Sequence, residues 1–212
     1  VTALRDPLMG LRFEEEDSPF ELVAEDAAVM DYNPNQPRDR KGRWTSGGVL
    51  QAESGHGKIK LTDKERVAVQ KYVGPDSYVL NEKLRLGLPL TQAESDWMAR
   101  LDSALEKLPP YQGETIRTMK FHTQEDLDFF LERSVVPGRT VKMDSYTSAS
   151  TKEGYHDEPD VTMYILSKSR GRDIRSFNVE EQEVLFCRNT SFLVRSRETD
   201  NGRYVIRMEE VE

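Results

Sequence analysis

The sequence is poor in cysteine and histidine, and each shortage excludes a class of protein. Cys187 is the only cysteine, so the chain cannot form an internal disulfide and a reducing compartment is the expected setting. The three histidines, His56, His122 and His156, lack the spacing of metal ligands, and no cysteine cluster accompanies them. We therefore expect no metal site.

Long apolar runs and excess positive charge are also missing. No apolar run approaches the roughly 20 residues that span a membrane, and no N-terminal segment resembles a signal peptide. The formal net charge of −8 over 212 residues argues against binding to nucleic acid or to anionic membranes. Because the chain begins at Val1 rather than Met, we expect it to be a piece of a longer product.

The composition divides the chain into a leader and a domain. Residues 1–58 contain an acidic run, Glu14–Asp17, and a turn-forming basic stretch, Tyr32–Trp44, with glycine-rich segments after it. The basic cluster could grip phosphates, but in so acidic a chain a solvated linker is the preferred interpretation. We expect 1–58 to be a flexible, partly disordered leader and 59–212 to be the folded domain.

Helix signals dominate the first half of the domain. Thr62 with Glu65, and Thr91 with Glu94, form capping boxes, in which each side chain satisfies a free backbone amide of the other residue. Gly87 ends the second helical stretch, and prolines end the third. Helices are expected over about 62–73, 77–86, 92–108 and 123–131.

Strand signals dominate the second half, where apolar residues alternate with polar ones between turn-forming residues. Strands are expected over about 115–121, 140–147, 161–166, 173–176, 183–186, 191–196 and 204–209. The turn Asp200–Gly202 joins the last two strands. Because helices come first and strands last, the pattern predicts an α+β fold with antiparallel sheets rather than a parallel doubly wound sheet.

Two glutamates at the entrance to a buried strand are the first chemical signal. Glu181 and Glu183 precede the apolar run Val184–Phe186. On an extended backbone, residues two apart face the same side, roughly 6–7 Å from each other. A site that breaks a bond at a sugar could use one carboxylate to stabilise positive charge and the other to handle the nucleophile. A solvated, glutamate-rich turn is the alternative in so acidic a chain.

Three further features, taken in order with the glutamates, resemble a known family. Arg117, the stretch Ser148-Ala-Ser150, and Glu181 with Glu183 follow one another as in the arginine–serine–glutamate signature of bacterial mono-ADP-ribosyltransferases. The helical lead-in is similar to the pattern that opens this domain in toxins of the family. Its matching residues are Leu61, Thr62, Glu65, Tyr72, Gly74, Ser77, Tyr78, Asn81, Leu84 and Arg85. The resemblance covers Leu61 to the C-terminus.

Two positions depart from the family pattern. Ala149 stands where the family usually has threonine, and Thr118 stands where glycine or another residue is frequent. Neither departure removes a group that the chemistry requires. The resemblance therefore implies N-terminal helices packed on two antiparallel β-sheets that form an NAD cleft, with NAD as the substrate and no metal.

The resemblance also implies roles for the arginine, the serines and an aromatic residue. Arg117 would contact the NAD pyrophosphate or ribose, Ser148 would orient Glu183, and Ser150 would support the local backbone. Tyr155 is the candidate partner for the nicotinamide ring. The alternatives are a strand-edge arginine paired with surface acids, serines that serve only as turn residues, and a surface tyrosine.

The glutamates and the loop before them receive the remaining roles. Glu183 would hold the 2′-hydroxyl of the nicotinamide ribose and stabilise the oxocarbenium-like state. Glu181 would orient or deprotonate the acceptor, and a glutamate at this position accompanies transfer to arginine in the family. Phe177 lies in the loop that meets the protein substrate in the family.

The predicted function is therefore NAD-dependent transfer of ADP-ribose to arginine side chains of an unidentified acceptor protein, with release of nicotinamide. The alternatives are an NAD glycohydrolase and a catalytically inactive structural module of a phage particle. The stretch Asn33–Trp44 resembles a linker of phage minor head proteins, some of which carry such a domain. We expect a phage- or bacterium-encoded toxin that acts in a host cytoplasm or is carried in the virion or secreted.

Overall fold

Four helices and ten strands occupy the part of the chain that the computed structural model describes, residues 5–6, 11–12, 60–152 and 158–211. The helices are α1 (Asp63–Tyr72), α2 (Asp76–Leu86), α3 (Gln92–Lys107) and α4 (Gln124–Arg133). The strands are β1 (Arg5–Asp6), β2 (Leu11–Arg12), β3 (Gly113–Met119), β4 (Thr140–Met143), β5 (Thr147–Ser150), β6 (Val161–Ser167), β7 (Gly171–Asp173), β8 (Glu183–Phe186), β9 (Thr190–Asp200) and β10 (Arg203–Val211). The predicted α+β class is confirmed.

Local capping determines where the helices begin and end. Both capping boxes are present, and at α1 the Thr62 amide donates to Glu65 Oε2 at 2.8 Å. Helix α2 ends at Gly87, whose φ of 64° is the left-handed conformation that glycine adopts without strain. These ends agree with the sequence prediction because only residues within one helical turn create them.

The strands form one hydrogen-bonded series in the order β1-β2-β4-β9-β10-β6-β3-β5-β8-β7. Strands β6 and β10 run parallel, and the other paired strands run antiparallel. A single residue pair, Ile116 with Ser150, joins β3 to β5. The expectation of two separate antiparallel sheets is therefore corrected, because partners distant in sequence pair in ways that periodicity does not encode.

Two expected strands differ from the structure more than the others do. The stretch expected as one strand over 140–147 divides into β4 and β5, because β4 pairs with β9 whereas β5 pairs with β3 and β8. The strand expected over 173–176 is β7, which ends at Asp173. The chain then enters a turn that leads to β8.

Two apolar cores lie on opposite faces of β8. Val184 and Phe186 belong to one core, which includes Phe130 of α4 and Phe192 of β9, and we call it the α4-side core. Leu185 belongs to the other, which includes residues of α1, α2 and α3, and we call it the helical core. Because both faces of the strand are covered, all four residues of β8 are buried.

Strands β1 and β2 fall within the range expected to be a leader. They pair with each other, and β2 pairs with β4, so they extend one end of the strand series. The acidic run at 14–17 and the stretch Asn33–Trp44 lie outside the described residues. Among the helices of the described residues, none combines the length and the apolar character needed to cross a membrane.

Candidate active site

Strands β5 and β8 bring the serines and the second glutamate together. Ser150 pairs with Glu183, and Ser148 pairs with Leu185. Residues that pair directly across two strands point to the same face of a sheet. Since Leu185 belongs to the helical core, the serines and Glu183 also face the helices.

A cleft opens between this face and the first two helices. Its walls include the five residues that the signature singled out on strands and turn: Arg117, Ser148, Ser150, Glu181 and Glu183. The helical wall contributes Tyr72, Val73, Gly74, Ser77, Tyr78 and Asn81, and the sheet also contributes Ile116, Thr118, Tyr146 and Ala149. The structure thus places residues that are far apart along the chain around one cavity.

Arg117 lies at the junction where β3 and β5 part. Its Nη1 donates to the carbonyl oxygen of Ser148 at 2.8 Å, so the guanidinium links the two strands. Burial and the charge of Glu181 raise the pKa of Glu183, and the positive charge of Arg117 partly opposes this rise. This position is suited to an anionic ligand, because a guanidinium presents several N–H groups in one plane.

Glu183 is a buried carboxyl group whose hydrogen bonds only partly offset the cost of burying its charge. It is 4% exposed, and burial, followed by the charge of Glu181, raises its pKa to about 7. Hydrogen bonds from Ser148 and Asn178 and the charge of Arg117 oppose that rise. A carboxyl group with this pKa can be ionised or protonated near neutral pH, as groups in active sites often are.

Glu181 lies in a turn and not on the strand. Gln182, between the two glutamates, has a φ of 51°, so the backbone there is left-handed rather than extended. The Ser150 hydroxyl donates to the carbonyl oxygen of Glu181 at 2.7 Å, and the Thr151 amide donates to that of Gln182 at 3.1 Å. The assumption of an extended backbone was wrong, and contacts to the end of β5 hold Glu181 in place instead.

Asn178 joins the two carboxylates, a role that was not predicted from the sequence. Its side-chain Nδ2 donates to Glu181 Oε2 and to Glu183 Oε2, at 2.9 Å in each case. Because one nitrogen contacts both groups, the two carboxylates face the same small space. The signal available in the sequence was a single amide in a turn five residues before Glu183, which is common in loops.

The helical wall contains polar residues, among them Tyr72 and Asn81, for which the sequence suggested no individual role. The amide nitrogen of Asn81 donates to the Tyr72 hydroxyl at 2.8 Å. The other side-chain atom of that amide, Asn81 Oδ1, is buried and accepts no hydrogen bond from the described residues. A buried acceptor of this kind is suited to a ligand that brings a donor.

Tyr146 forms part of the cleft floor and ties it to α3. Its hydroxyl donates to Asp102 Oδ1 at 2.6 Å, and Arg188 Nε donates to Asp102 Oδ2 at 2.9 Å. Burial raises the pKa of Tyr146, so the hydroxyl stays protonated as a donor. The network links α3 to the chain just before β5 and just after β8.

Phe177 is half-buried against the helical core and is not among the residues of the cleft wall, so its contact with an acceptor stays a prediction. In the same loop Val179 is 46% exposed. Tyr155 lies outside the described residues.

No group of three His, Cys, Asp or Glu residues in the described ranges is placed to hold a metal ion.

Comparison with known families gives a match to one family model. Residues 51–211 match the model of the ADP-ribosyltransferase exoenzyme family. This range contains all the predicted site residues. It also extends upstream of Leu61, where the quoted resemblance begins.

Comparison with curated proteins finds relatives that are longer than this chain. The chain is 32% identical over 165 residues to the NAD(+)–protein-arginine ADP-ribosyltransferase Tre1 of Serratia proteamaculans. The match covers 75% of this chain and 35% of the relative, so the chain spans about a third of that protein's length. These comparisons carry no indication of a phage origin, which stays a prediction.

Comparison with solved structures confirms the fold. Exoenzyme S of Pseudomonas aeruginosa, solved with human 14-3-3 protein beta and carba-NAD, is 22% identical with a TM-score of 0.61, and the match covers 73% of this chain and 76% of that chain. The ADP-ribosyltransferase Vis of Vibrio splendidus, solved with agmatine, is 22% identical with a TM-score of 0.56, covering 72% and 76% respectively. At these identities the likeness establishes a shared fold.

Proposed function

Since the chain belongs to the ADP-ribosyltransferase exoenzyme family, we propose that it cleaves NAD between nicotinamide and ribose and transfers ADP-ribose to an arginine side chain of a protein. The observation that carries the proposal is the pair of carboxylates on one cleft wall, Glu183 buried and Glu181 in the adjoining turn. We assign the transferase domain to residues 59–212 and a leader to residues 1–58, of which β1 and β2 add to the strand series of the domain.

The cleft offers groups suited to an anionic dinucleotide substrate. Arg117 supplies positive charge for the pyrophosphate or the ribose, and Ser148 and Ser150 supply hydroxyl groups on the neighbouring strand. The buried acceptor Asn81 Oδ1, which lacks a hydrogen bond within the described residues, suits a donor such as a ribose hydroxyl. Tyr155 remains our candidate for the nicotinamide ring.

The ionised form of Glu183 is the form that the reaction needs. As the bond from ribose C1′ to nicotinamide breaks, its electron pair leaves with nicotinamide and positive charge develops on the ribose. A carboxylate that is as buried as Glu183 stabilises this charge more strongly than it would in bulk water. The hydrogen bonds from Ser148 and Asn178 favour the ionised form.

Glu181 is placed to receive the acceptor. It lines the cleft beside Glu183, and its turn leads out to the exposed residues Val179 and Glu180. A guanidinium entering there would meet a carboxylate able to pair with it and to take the proton that it loses on attack. The arginine assignment is supported by the name of Tre1 and by the agmatine, a guanidine compound, bound to Vis.

The decisive experiment compares nicotinamide release by the wild type and by Glu183→Gln. We expect a loss of at least about 1000-fold, because the glutamine keeps the shape but carries no charge for the developing cation. Glu180→Gln is the matched control, since this exposed glutamate lies outside the cleft wall. Equal release by the wild type and Glu183→Gln would contradict the proposal.

A second variant separates transfer from hydrolysis. We expect Glu181→Gln to keep most of the nicotinamide release while losing modification of arginine, because water needs no positioned carboxylate to pair with it. The measurement is incorporation of labelled ADP-ribose into lysate proteins, with the modified residues identified by mass spectrometry. Nicotinamide release without any labelled protein would indicate an NAD glycohydrolase, and absence of both activities would indicate a structural module.

A further inference from the structure

The side chain of Asn178, in the loop before β8, contacts both glutamates of the cleft. Its amide nitrogen lies 2.9 Å from Glu181 Oε2 and 2.9 Å from Glu183 Oε2. An amide nitrogen carries two N–H groups, so it can donate one to each carboxylate. The contact is therefore a clamp between a buried carboxyl group and one in an adjoining turn.

The loop holds this amide in place from both sides. The Asn178 backbone amide donates to the carbonyl oxygen of Ile174 at 3.2 Å, and the Gln182 amide donates to the carbonyl oxygen of Asn178 at 3.0 Å. Ile174 is fully buried in the helical core, and it donates its own amide to the Glu183 carbonyl at 3.2 Å. The position of the clamp is thus set by the fold and not by an exposed, rotating side chain.

A neutral clamp has a consequence that a charged one would not have. The two carboxylates repel each other when both are ionised, and this repulsion adds to the effect of burial in raising the pKa of Glu183. A lysine or arginine between them would cancel that negative charge and would compete with a cationic acceptor. An asparagine holds the two groups together and leaves the site negative for an incoming guanidinium.

We propose that Asn178 is a positioning residue that sets how ADP-ribose is divided between an arginine acceptor and water, by holding Glu181 against Glu183. The inference rests on the proposed function. In transfer, a guanidinium nitrogen forms the bond to ribose C1′ while nicotinamide leaves with the electron pair, and Glu181 takes the proton. In hydrolysis, a water oxygen forms that bond and releases its proton to solvent, so a displaced Glu181 matters less.

The clamp also affects the pH dependence of the reaction. The charged groups that face Glu183 are Glu181 from the loop and Arg117 from β3, and the Ser148 hydroxyl on β5 donates a hydrogen bond to it. The hydrogen bond from Asn178 lowers the pKa of Glu183, so its removal raises that pKa. The acid side of the rate profile should then move to higher pH.

The test uses Asn178→Ala, Asn178→Asp and, as a matched loop control, Gln182→Asn. The alanine removes both donated hydrogen bonds, and the aspartate keeps the shape while adding a third carboxylate. Gln182→Asn shortens the side chain that donates to the Val179 carbonyl at 2.7 Å, yet leaves the clamp intact, and asparagine tolerates the left-handed backbone at this position. Thermal unfolding of each variant verifies that it is folded.

Nicotinamide release is measured with and without agmatine, together with the ADP-ribosylated product. At a pH well above neutral, we expect Asn178→Ala to lower transfer at least about tenfold, which is the effect of losing a hydrogen bond to a charged group. Hydrolysis should fall less, so the ratio of transfer to hydrolysis falls, and it should fall further in Asn178→Asp. In Gln182→Asn the ratio should stay within about twofold of the wild type.

The outcomes distinguish this inference from the function on which it rests. An unchanged ratio in a folded Asn178→Ala, or an equal change in Gln182→Asn, overturns the positioning role and leaves the transferase assignment standing. An unshifted pH profile in Asn178→Ala overturns the role for Glu183. A wild type that releases nicotinamide but modifies neither agmatine nor protein, or that does not cleave NAD, overturns both.

Discussion

Glu183 and Glu210 are two carboxyl groups with little exposure to solvent in very different surroundings. Glu210, on β10, is 3% exposed and accepts hydrogen bonds at 2.7–3.1 Å from the backbone amides of Lys168, Ser169 and Arg170 and from the Ser169 hydroxyl. These donors hold the pKa of Glu210 below its usual range although burial acts in the opposite direction. The carboxylate is ionised, and it holds the turn between β6 and β7.

Glu183 is 4% exposed but has fewer donors. Ser148 and Asn178 donate to it, and the neighbouring Glu181 repels its ionised form, so its pKa rises to about 7. Burial alone therefore does not decide whether a carboxyl group is ionised, because the number of donors can reverse its effect. The protein satisfies the structural carboxylate fully and leaves the one in the cleft with capacity for a ligand.

The same substitution at the two sites should have opposite effects on stability, and the larger effect is expected at Glu210. Glu210→Gln replaces one carboxylate oxygen by an NH₂ group, so the backbone N–H groups that donate to that oxygen lose their acceptor and face another donor. We expect the free energy of unfolding to fall by about 4 kcal/mol. Chemical denaturation at neutral pH measures this change. A variant as stable as the wild type would mean that the hydrogen bonds to Glu210 do not stabilise the fold.

The pH dependence of the wild type offers a check on Glu210. A carboxylate whose pKa is lowered in the folded state contributes stability that is present above the unfolded pKa. That contribution is lost as the pH falls through the lowered folded pKa. The difference in stability between the wild type and Glu210→Gln should therefore shrink in acid.

Glu183→Gln should make the protein more stable while it abolishes activity. The pKa of Glu183 is raised from 4.5 to about 7, so the folded state binds this proton more tightly than the unfolded state. Stability then falls as the pH rises from 4.5 to 7 and stays level above that range. We expect a gain of about 2 to 3 kcal/mol above neutral pH, and none in acid.

The measurement for Glu183→Gln is denaturation at two pH values, one below 4.5 and one above 7. Glu180→Gln serves as the control, because this exposed side chain has no buried charge to lose. A stability gain that is the same at both pH values would contradict the titration of Glu183 as its cause.

The rate of nicotinamide release should follow the ionisation of Glu183. Below its pKa of about 7 the ionised fraction, and with it the rate, should fall about tenfold for each pH unit. The rate should level off above that value. A rate that stays constant down to pH 5 would place the reactive carboxylate outside this buried setting.

The smallest effect on stability is expected from removing one hydrogen bond to Asp102. Asp102 of α3 accepts from the Tyr146 hydroxyl and from Arg188, which ties the helix to both strands of the site. Tyr146→Phe removes one of these donors and keeps the ring in the helical core. We expect the free energy of unfolding to fall by about 1 kcal/mol, measured by thermal or chemical denaturation.

The control for Tyr146→Phe is activity at a temperature well below the unfolding transition. Because the substitution removes only the hydroxyl group that contacts Asp102 and keeps the Tyr146 ring in the cleft floor, NAD cleavage should change less than it does in Asn178→Ala. A larger loss of activity than of stability would mean that the tie to α3 positions the strands of the site directly.

The sequence alone determined features that depend on near neighbours. The capping boxes at Thr62 and Thr91, the end of α2 at Gly87 and the bounds of β8 were predicted correctly, since hydrogen bonds within one turn or a run of apolar residues produce them. The order of Arg117, the serines and the glutamates also indicated the family whose model matches residues 51–211.

Tertiary structure alone decided how those residues work together. The parallel pairing of β6 with β10, the left-handed turn at Gln182 and the clamp at Asn178 arise from contacts between segments that local patterns do not connect. The pKa of Glu183 depends in the same way on burial and on donors from other strands and loops. The pKa of a carboxyl group depends on the groups that surround it in the folded protein. The sequence therefore identified both glutamates as candidates, but it could not show which of them is buried and has a pKa near neutral pH.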